Sequence, residues 1–533
     1  MSKDMHIQGP QISQFNNVSP QKIPRSAFKR DHTRRSTFNS DVLVPIFLDE
    51  ILPGDDVSIG MTSQVRMTTP IKPLMDNLYM DTFWFFVPNR LVWSNWQKFQ
   101  GQQTNPGDSV AYTIPVLDAT VAPLTTTGFT NQSIYDYFGL PTGVTALPGS
   151  NMAKISCLFN RAYDLIWNEW FRDENLQNSI TVANGDGPDD PATYNLRYRN
   201  KRHDYLTSCL PWPQKGAAVT LPLGNKAYIH SGFNDHAGGV AYAPAGGPLA
   251  TYSPTGGAGN YIWGDQGANG EGIWADLSTA TAATINALRQ AALYQQILEL
   301  DARGGTRYVE AIYSRFGVVS PDFRLQRPEL IGQGSSRINV YAVPQTAPTA
   351  AGTTPQGNLA AFSATAVQGH GCRYSATEHG MILGLASVRA DLTYQQALPK
   401  MFNRSTRLDF YEPLLNGLGE QAVLNSEIMA DGTTGDQTVF GYQERFSEYR
   451  FKNSEITGVF RSNDTAPLDV WHLAQEFATV PVLNSGFITN STPMDRILAV
   501  STALAPNFLM DASFSYHHVR PMPMRSNPGI RVL

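Results

Sequence analysis

The stretch VLVPIFLDEILPGDD at residues 42–56 is an apolar, β-branched run that ends in a Pro-Gly-Asp turn, the pattern of a strand. SIGMTSQVRMTTPI at 58–71 then alternates polar and apolar residues, as a half-buried strand does. NLYMDTFWFFVP at 77–88 is apolar on both faces, which is typical of a strand that is central or covered on both sides. This part of the chain therefore predicts three successive strands.

Four later segments return to the same alternation, and they are INVYAV (338–343), STRLDFY (405–411), ERFSEYRFK (444–452) and DASFSYHHVRP (511–521). Few connections between them look helical, so we expect antiparallel pairing. Early and late strands must meet if either set is to bury its apolar face, and a two-sheet antiparallel sandwich satisfies this. The jelly roll is one such sandwich, and periodicity alone does not separate it from the others.

The middle of the chain has a different pattern. Apolar residues at helical spacing predict helices over 151–174, 283–305 and 306–317. Between the first two lies a Gly-rich insertion at 216–283, which we expect to be a packed surface loop because it is rich in aromatic residues and poor in charge. Its aromatic side chains include Tyr228, Phe233, Tyr242, Tyr252, Tyr261 and Trp263.

The composition limits the classes of function. Charged residues make up 16% of the chain, below the roughly 25% of an average soluble protein, so much of the surface is expected to be covered by copies of the same chain. The net charge of -5 indicates that any nucleic-acid contact comes from local basic patches. Three scattered cysteines and the absence of a secretion signal or an apolar span predict a protein folded in a reducing cytoplasm.

Basic side chains cluster in two places and are candidates for binding DNA phosphates. The first is an extended basic arm at residues 1–40, with a solvated tail as the alternative, and the second is a run at 197–203, with an ordinary basic surface as the alternative. The chain end, which includes His517 and His518, is a weaker third case. The candidate DNA-binding residues are Lys22, Arg25, Lys29, Arg30, Arg34, Arg35, Arg197, Arg199, Lys201 and Arg202.

Metal and enzyme signatures are poor. His370, Cys372 and His379 match no common zinc spacing, and the acidic turn that contains Asp186, Asp189 and Asp190 is better explained as solvated than as a cation site. The sequence lacks a GxSxG elbow, an HExxH motif and a P-loop, and GQGSSR at 332–337 opens no helix. We therefore expect no catalytic residues, no metal and no cofactor.

Several long strings closely resemble the major capsid proteins of the Microviridae, and of the gokushovirus branch in particular. They occur in the family's order and span nearly the whole chain. The strings are FNSDVLVPIFLDEILPGDD (38–56), HDYLTSCLPWPQKG (203–216), DARGGTRY (301–308), FGVVSPDFRLQRPELIG (316–332), LPKMFNRSTRLDFY (398–411) and SFSYHHVRPMPMRSNPGI (513–530).

The resemblance implies a mainly β fold, an eight-stranded antiparallel jelly roll with long inserted loops and a few α-helices, within a single domain at 41–533. It also implies a small T=1 icosahedral shell around a circular single-stranded DNA bacteriophage genome, assembled in the host bacterial cytoplasm. The insertion 216–283 matches the place of the threefold protrusions that face the host cell receptor. The implied viral partners are an internal scaffolding protein, a pilot protein and a small basic DNA-binding protein.

Two other classes of function remain as alternatives. A phage fibre or carbohydrate-binding β-sandwich would explain the aromatic insertion, but it would not explain the basic arm or the helices. A hydrolase within the insertion is supported by nothing beyond the length of the chain. We therefore expect a self-assembling structural protein that is not an enzyme.

Overall fold

The computed structural model describes residues 24–217, 219, 228–230, 274–276, 285–350, 352 and 354–525. The chain divides into two compact units. The first consists of Met1–Pro213 together with Gly304–Leu533, and the second is Gln214–Arg303. The second unit is thus inserted between two parts of the first.

The described strands are β1 (Ser26–Lys29), β2 (His32–Phe38), β3 (Val44–Ile51), β4 (Asp56–Met67), β5 (Leu78–Pro88), β6 (Tyr228–His230), β7 (Trp274–Asp276), β8 (Glu329–Ile338), β9 (Val340–Pro344), β10 (Leu359–Ser363), β11 (Thr365–Ser375), β12 (Gly380–Ala390), β13 (Glu420–Leu424), β14 (Val439–Glu444) and β15 (Phe508–Arg520). The described α-helices are α1 (Asn89–Val92), α2 (Trp96–Phe99), α3 (Ile134–Tyr137), α4 (Leu158–Ile166), α5 (Ile285–Arg303), α6 (Tyr308–Phe316) and α7 (Ser485–Ile488). A π-helical turn at Trp167–Phe171 continues α4, and short 3-10 segments are numerous between 400 and 496.

Two large antiparallel sheets form the core of the first unit, and β9 with β10 and β13 with β14 form two small sheets. In the first sheet β1 and β2 pair with one edge of β15, β4 pairs with the other edge, and β11 pairs with β4. The second sheet has the order β3-β12-β5-β8. With β1 and β2 counted as one interrupted strand, the two large sheets contain eight strands. Successive strands lie in opposite sheets, except that β5 and β8 are neighbours in the second sheet, and this is the order expected of a jelly roll.

The core between the two sheets is aromatic at its centre. Phe47 on β3 and Trp84 on β5 come from the second sheet, and Phe514 on β15 comes from the first. The ring of Phe47 lies 5.4 Å from that of Trp84 and 5.5 Å from that of Phe514, between centroids, and all three side chains are buried. Early and late strands therefore share one core, as their alternation predicts.

A second core covers the other face of the second sheet. Phe85 of β5 and Leu383 of β12 are buried there with Tyr163 and Ile166 of α4. This explains why β5 is apolar on both faces, and it confirms the prediction that this strand is covered on both sides. It also accounts for β12, whose residues are nearly all buried and which has no polar alternation to reveal it.

Two glycines of β8 let the sheets approach closely where this strand passes β11. A Cβ on Gly332 would overlap the carbonyl oxygen of Gly371, and a Cβ on Gly334 would overlap the ring of His370. The GQGSSR segment at 332–337 is thus part of strand β8, and its glycines serve packing. The structure agrees with our exclusion of a phosphate loop there.

The predicted helix at 151–174 is only partly correct. Residues Asn151–Lys154 form a 3-10 turn, and α4 begins at Leu158. The backbone between these two elements makes β-bridge contacts and is not helical. Ser156 bridges to Val116, and the carbonyl oxygen of Ile155 accepts a hydrogen bond from the Leu117 amide. The predictions at 283–305 and 306–317 are confirmed by α5 and α6, although 283 and 284 lie outside the described residues.

Two predicted strands are wrong. Segment 405–411 contains a 3-10 turn at Arg407–Asp409, because the Asp409 carboxylate accepts hydrogen bonds from the amides of Ser405 and Thr406 and closes a turn. Segment 444–452 begins where β14 ends, and Phe446 then takes a φ of 62°, which no strand tolerates. The predicted strands at 42–56, 58–71, 77–88, 338–343 and 511–521 match β3, β4, β5, the junction of β8 and β9, and β15.

The predicted arm also differs from expectation. Residues 26–38 form β1 and β2, and Phe38 is fully buried in the core, so this part of the chain belongs to the sandwich. Pro24 lies just before β1 and does not prevent a strand that starts after it. Residues 1–23 lie outside the described part.

Candidate nucleic-acid interface

The outward face of the first sheet is polar and has small side chains at its centre. Along β15 the inward residues are buried while Asp511, Ser513, Ser515 and His517 point outward and are exposed. Cross-strand pairing sets the neighbours of each outward residue, because paired residues share a face of the sheet. The sheet therefore carries successive rows of side chains, which we call the outer sheet face.

The centre of the outer sheet face is a floor of serine, threonine and glycine. One row joins Ser513 to Thr33 and Thr62, and the next joins Ser515 to Gly60. Gly371 of β11 extends the second row, since it pairs with Gly60. A shallow depression of about 550 Å³ lies over this floor, and its lining residues are Ser58, Ile59, Gly60, Met61, Thr62, Ile331, Gly369, His370, Gly371, Cys372, Arg373 and Ser515.

Exposed cations lie at both ends of this floor. At one end Arg35 of β2 and Arg66 of β4 line a second depression of about 590 Å³ on either side of Asp511. At the other end a single row contains Lys29, His517, Ser58 and Arg373. The rows of Asp511 and His517 are six residues apart on β15, or about 20 Å at the usual strand rise.

The ion pairs on this face are weak. Arg35 lies 3.5 Å from Asp511, but its side chain remains 83% exposed. Lys29 lies 3.2 Å from Asp31, and both are also largely exposed. Pairs in such contact with water contribute at most about 1 kcal/mol, so either cation can exchange its carboxylate for a phosphate.

The other predicted basic residues of the arm have different positions. Arg25 is exposed and donates to the Gly54 carbonyl oxygen, whereas Lys22 lies outside the described residues. Arg30 is paired with Asp49 and also contacts Tyr516 and His518. Arg34 is partly buried and donates to the carbonyl oxygens of Ile46 and Tyr137, and burial lowers the pKa of its guanidinium. Arg30 and Arg34 therefore tie strands together.

Most of the candidate basic side chains at 197–203 are at least partly buried and are paired with groups of the same chain. Arg197 makes a two-pronged pair with Asp164 at 2.9 and 3.0 Å, and Arg199 pairs with Asp81 at 2.5 Å. Lys201 is 6% exposed, and its Nζ lies 3.0 Å from Gln475 Oε1. Arg202 alone among the four candidates of this run is exposed.

Arg66 and Arg373 are the cations of the outer sheet face that the sequence reasoning missed. No run of basic residues marks either one. The signal was present in the alternation, because Arg66 ends the outward series Ser58, Gly60, Thr62 and Gln64 along β4. A search for basic residues on the polar side of an amphipathic strand would have found it.

The burial of Lys201 makes the stability of the folded chain depend on pH. Burial lowers the pKa of its ammonium from 10.5 to about 8. Below pH 8 both the folded and the unfolded chain carry this proton, and the buried charge opposes folding. Between about pH 8 and 10.5 the folded chain has lost the proton that the unfolded chain retains, so the free energy of unfolding rises with pH in this window, by about 1.4 kcal/mol per pH unit.

We expect the substitution Lys201→Met to stabilise the isolated protein at pH 7.5 and to lose most of that advantage by pH 10.5. The measurement is the urea midpoint of wild type and variant at both pH values. The matched control is Arg202→Met, whose exposed charge should give a difference that does not change across this window. A Lys201→Met effect that is equal at both pH values would contradict the buried, shifted ammonium.

Most of the aromatic residues expected to face the host lie outside the described residues. Tyr228 begins β6, which pairs with β7 in the second unit. The remaining candidates lie outside the described residues, and they are Phe233, Tyr242, Tyr252, Tyr261 and Trp263.

The polar residues considered for metal binding have protein partners. Asp189 pairs with Arg161 at 2.7 Å, Asp186 accepts from the Trp93 indole at 2.7 Å, and Asp190 caps the turn that follows it. His370 contacts the hydroxyls of Thr82 and Ser336, each at 2.9 Å. Across the described residues no group of three or more His, Cys, Asp and Glu side chains is placed to hold a metal ion. No helix in the described part is long and apolar enough to cross a membrane.

Comparison with known proteins gives a consistent result. A family model described as "Capsid protein (F protein)" matches residues 16–530. The Capsid protein VP1 of Bdellovibrio phage phiMH2K is 48% identical and is matched over 96% of this chain and 97% of its own. The proteins of the same name from Chlamydia phage 1 and Spiroplasma virus 4 are 39% and 37% identical over the full length of both chains.

Proposed function

Because this chain belongs to the capsid protein (F protein) family and is a structural component of a phage virion, we propose that its outer sheet face lines the interior of a small icosahedral shell and binds the single-stranded DNA genome. The observation that carries the proposal is the floor of small polar residues bounded at both ends by exposed cations. The family supports a structural role and not an enzymatic one.

Phosphate binding without sequence preference fits the chemistry of this face. Serine and threonine hydroxyls and Arg and Lys side chains are common donors to phosphate oxygens. Glycines and short side chains leave the backbone of the sheet accessible, so an extended strand of DNA can lie close to it. The face has few exposed aromatic rings among its described residues, which argues against tight base stacking and favours contacts to phosphate and sugar.

We expect the combined substitutions Lys29→Gln, Arg35→Gln, Arg66→Gln and Arg373→Gln to weaken binding of oligo-dT to free subunits and to lower the DNA content of particles. Loss of four phosphate contacts should reduce the slope of log K against log salt by about 3, at roughly 0.7 per contact for a single strand. Salt titrations of fluorescent oligo-dT and the nuclease-protected DNA per particle measure the two effects.

The matched control is Arg202→Gln, which removes an exposed cation outside the strands of the first sheet. It should leave the salt slope unchanged, whereas loss of one phosphate contact would lower it by about 0.7. Quadruple variants that retain the wild-type slope and the wild-type DNA content would exclude the outer sheet face from genome binding. Circular dichroism of the free subunit checks that all four substitutions leave the fold intact, as their exposure leads us to expect.

We also propose that the insertion 216–283 forms a protrusion on the shell that contacts the host receptor. Its support is the separate compact unit at Gln214–Arg303, because a unit with its own contacts can be added to a sandwich without entering the core. Assembly is proposed to take place in the host bacterial cytoplasm with a scaffolding protein, a pilot protein and a small basic DNA-binding protein of the virus. Shells that lack residues 225–275 are expected to form but to attach poorly to cells.

A further inference from the structure

A loop on the first unit exposes an unusual amount of apolar surface. We call residues 400–418 the apolar loop. Leu414 is 90% exposed and Phe402 is 70% exposed, although both are among the residue types most often found inside proteins. The large apolar side chains that this loop exposes are Met401, Phe402, Leu408, Phe410, Tyr411, Leu414 and Leu418.

Polar contacts hold the apolar loop in this shape. Arg404 stacks on the ring of Tyr449 at 4.3 Å and pairs with Glu448 at 3.4 Å. The Tyr411 amide donates to the hydroxyl of Tyr449 at 3.3 Å, and Asp409 closes the turn at 407–409. The loop is therefore held with most of its apolar side chains facing solvent, although the ring of Tyr411 also packs edge-on against the buried Phe446.

The exposed area is close to what one side of a protein interface needs. Three aromatic side chains of about 150–250 Å² each, a little over half exposed, give roughly 300 Å². Four aliphatic side chains of about 100 Å² each, at similar or greater exposure, give a similar area. A total of about 600 Å² compares with about 800 Å² per partner in a standard interface, and it is at the upper limit for a patch on a stable monomer.

We propose that the apolar loop is a contact between subunits and that its occupant is a second copy of this chain. This rests on the capsid function, which places many copies of the chain side by side. A surface repeated on every subunit is most simply covered by the same chain, because closed symmetric assembly then covers all copies at once. Mostly apolar contact also fits a protein partner better than DNA, whose binding depends on charge.

Introduced cysteines test this contact directly. The native thiols of Cys157, Cys209 and Cys372 are all buried, so a thiol at Leu414→Cys is the first that a maleimide reaches. Leu504 is 83% exposed, and Leu504→Cys supplies a reference thiol of similar exposure outside the loop. In free subunits the two should react at similar rates. In shells, made if necessary with excess wild-type chain, labelling at Cys-substituted Leu414 should slow by at least tenfold.

A photoreactive benzophenone maleimide attached at the same position identifies the occupant. The expected product in irradiated shells has twice the mass of the 58.6 kDa chain, and its cross-linked peptides come from a second copy. Equal labelling in shells and free subunits would overturn the proposal, and so would a cross-link to another viral protein. The two proposals can fail separately. If the thiol at position 414 is protected in shells while the quadruple variant of the outer sheet face still binds DNA normally, the loop contact stands and the DNA proposal fails.

Assembly itself provides a second measurement. The substitution Leu414→Asp is expected to leave the melting temperature of the free subunit unchanged, because the side chain contacts little within it. It should reduce the fraction of subunits that sediment as shells by about tenfold. Shells that form with wild-type yield from Leu414→Asp subunits would also overturn the proposal.

Discussion

Replacing Phe514 with alanine is expected to lower the free energy of unfolding by about 3–5 kcal/mol, as truncation of a buried aromatic residue usually does. Phe514 is fully buried on β15 and contacts Phe47 and Trp84, which belong to the opposite sheet. The alanine would therefore leave a cavity where the two sheets are joined. The shift of the urea midpoint of free subunits measures the loss.

The control for this substitution lies on the same strand. Leu509 points to the outer sheet face and is about half exposed, so Leu509→Ala should cost less than about 1 kcal/mol. Equal losses from Phe514→Ala and Leu509→Ala would contradict the assignment of inward and outward faces on β15, and with it the position of the outer sheet face.

Replacing Arg161 with alanine is the second substitution with a large expected effect, again about 3–5 kcal/mol. The guanidinium is fully buried on α4 and makes two hydrogen bonds of 2.7 Å to Asp189. It also donates to the carbonyl oxygens of Val92 and Gly185. The alanine variant leaves a buried carboxylate and two carbonyl groups without this donor, and unfolding of free subunits should begin at a much lower urea concentration.

An exposed ion pair provides the comparison for Arg161. Arg35→Ala removes the partner of Asp511 at the surface and should change stability by no more than about 1 kcal/mol. The substitution Asp189→Asn keeps the shape of the side chain but removes its charge, and we expect it to be destabilising as well. A small effect of both Arg161→Ala and Asp189→Asn would mean that water reaches this pair.

Much of the fold follows from local patterns, and the failures have physical causes. Strands β4 and β15 each pack one face on the core and leave the other in water, so their alternation was readable. Strand β12 is buried on both faces and lacks that alternation, and β8 contains glycines required by its close approach to β11. At 405–411 the hydrogen bonds of one carboxylate outweighed an apolar pattern that resembles a strand.

The candidate site was only partly predictable. A run of basic residues in sequence does not reveal which of them pair internally, because the acidic partners are distant along the chain. Arg199 and Asp81 are 118 positions apart, and Arg30 reaches Asp49 from another strand. Arg66 and Arg373 come from strands that are adjacent only through the sheet order, so their common face required the pairing register.

The position of β15 has a consequence for how the protein is made. Translation produces β2 and β4 early, yet both pair with β15, whose residues 508–520 are synthesised last. While the ribosome is still working, each of these strands has an open edge, and their shared partner does not yet exist. A chain that terminates before residue 508 lacks β15, so the edges of β2 and β4 that β15 covers stay unpaired and the first sheet cannot form.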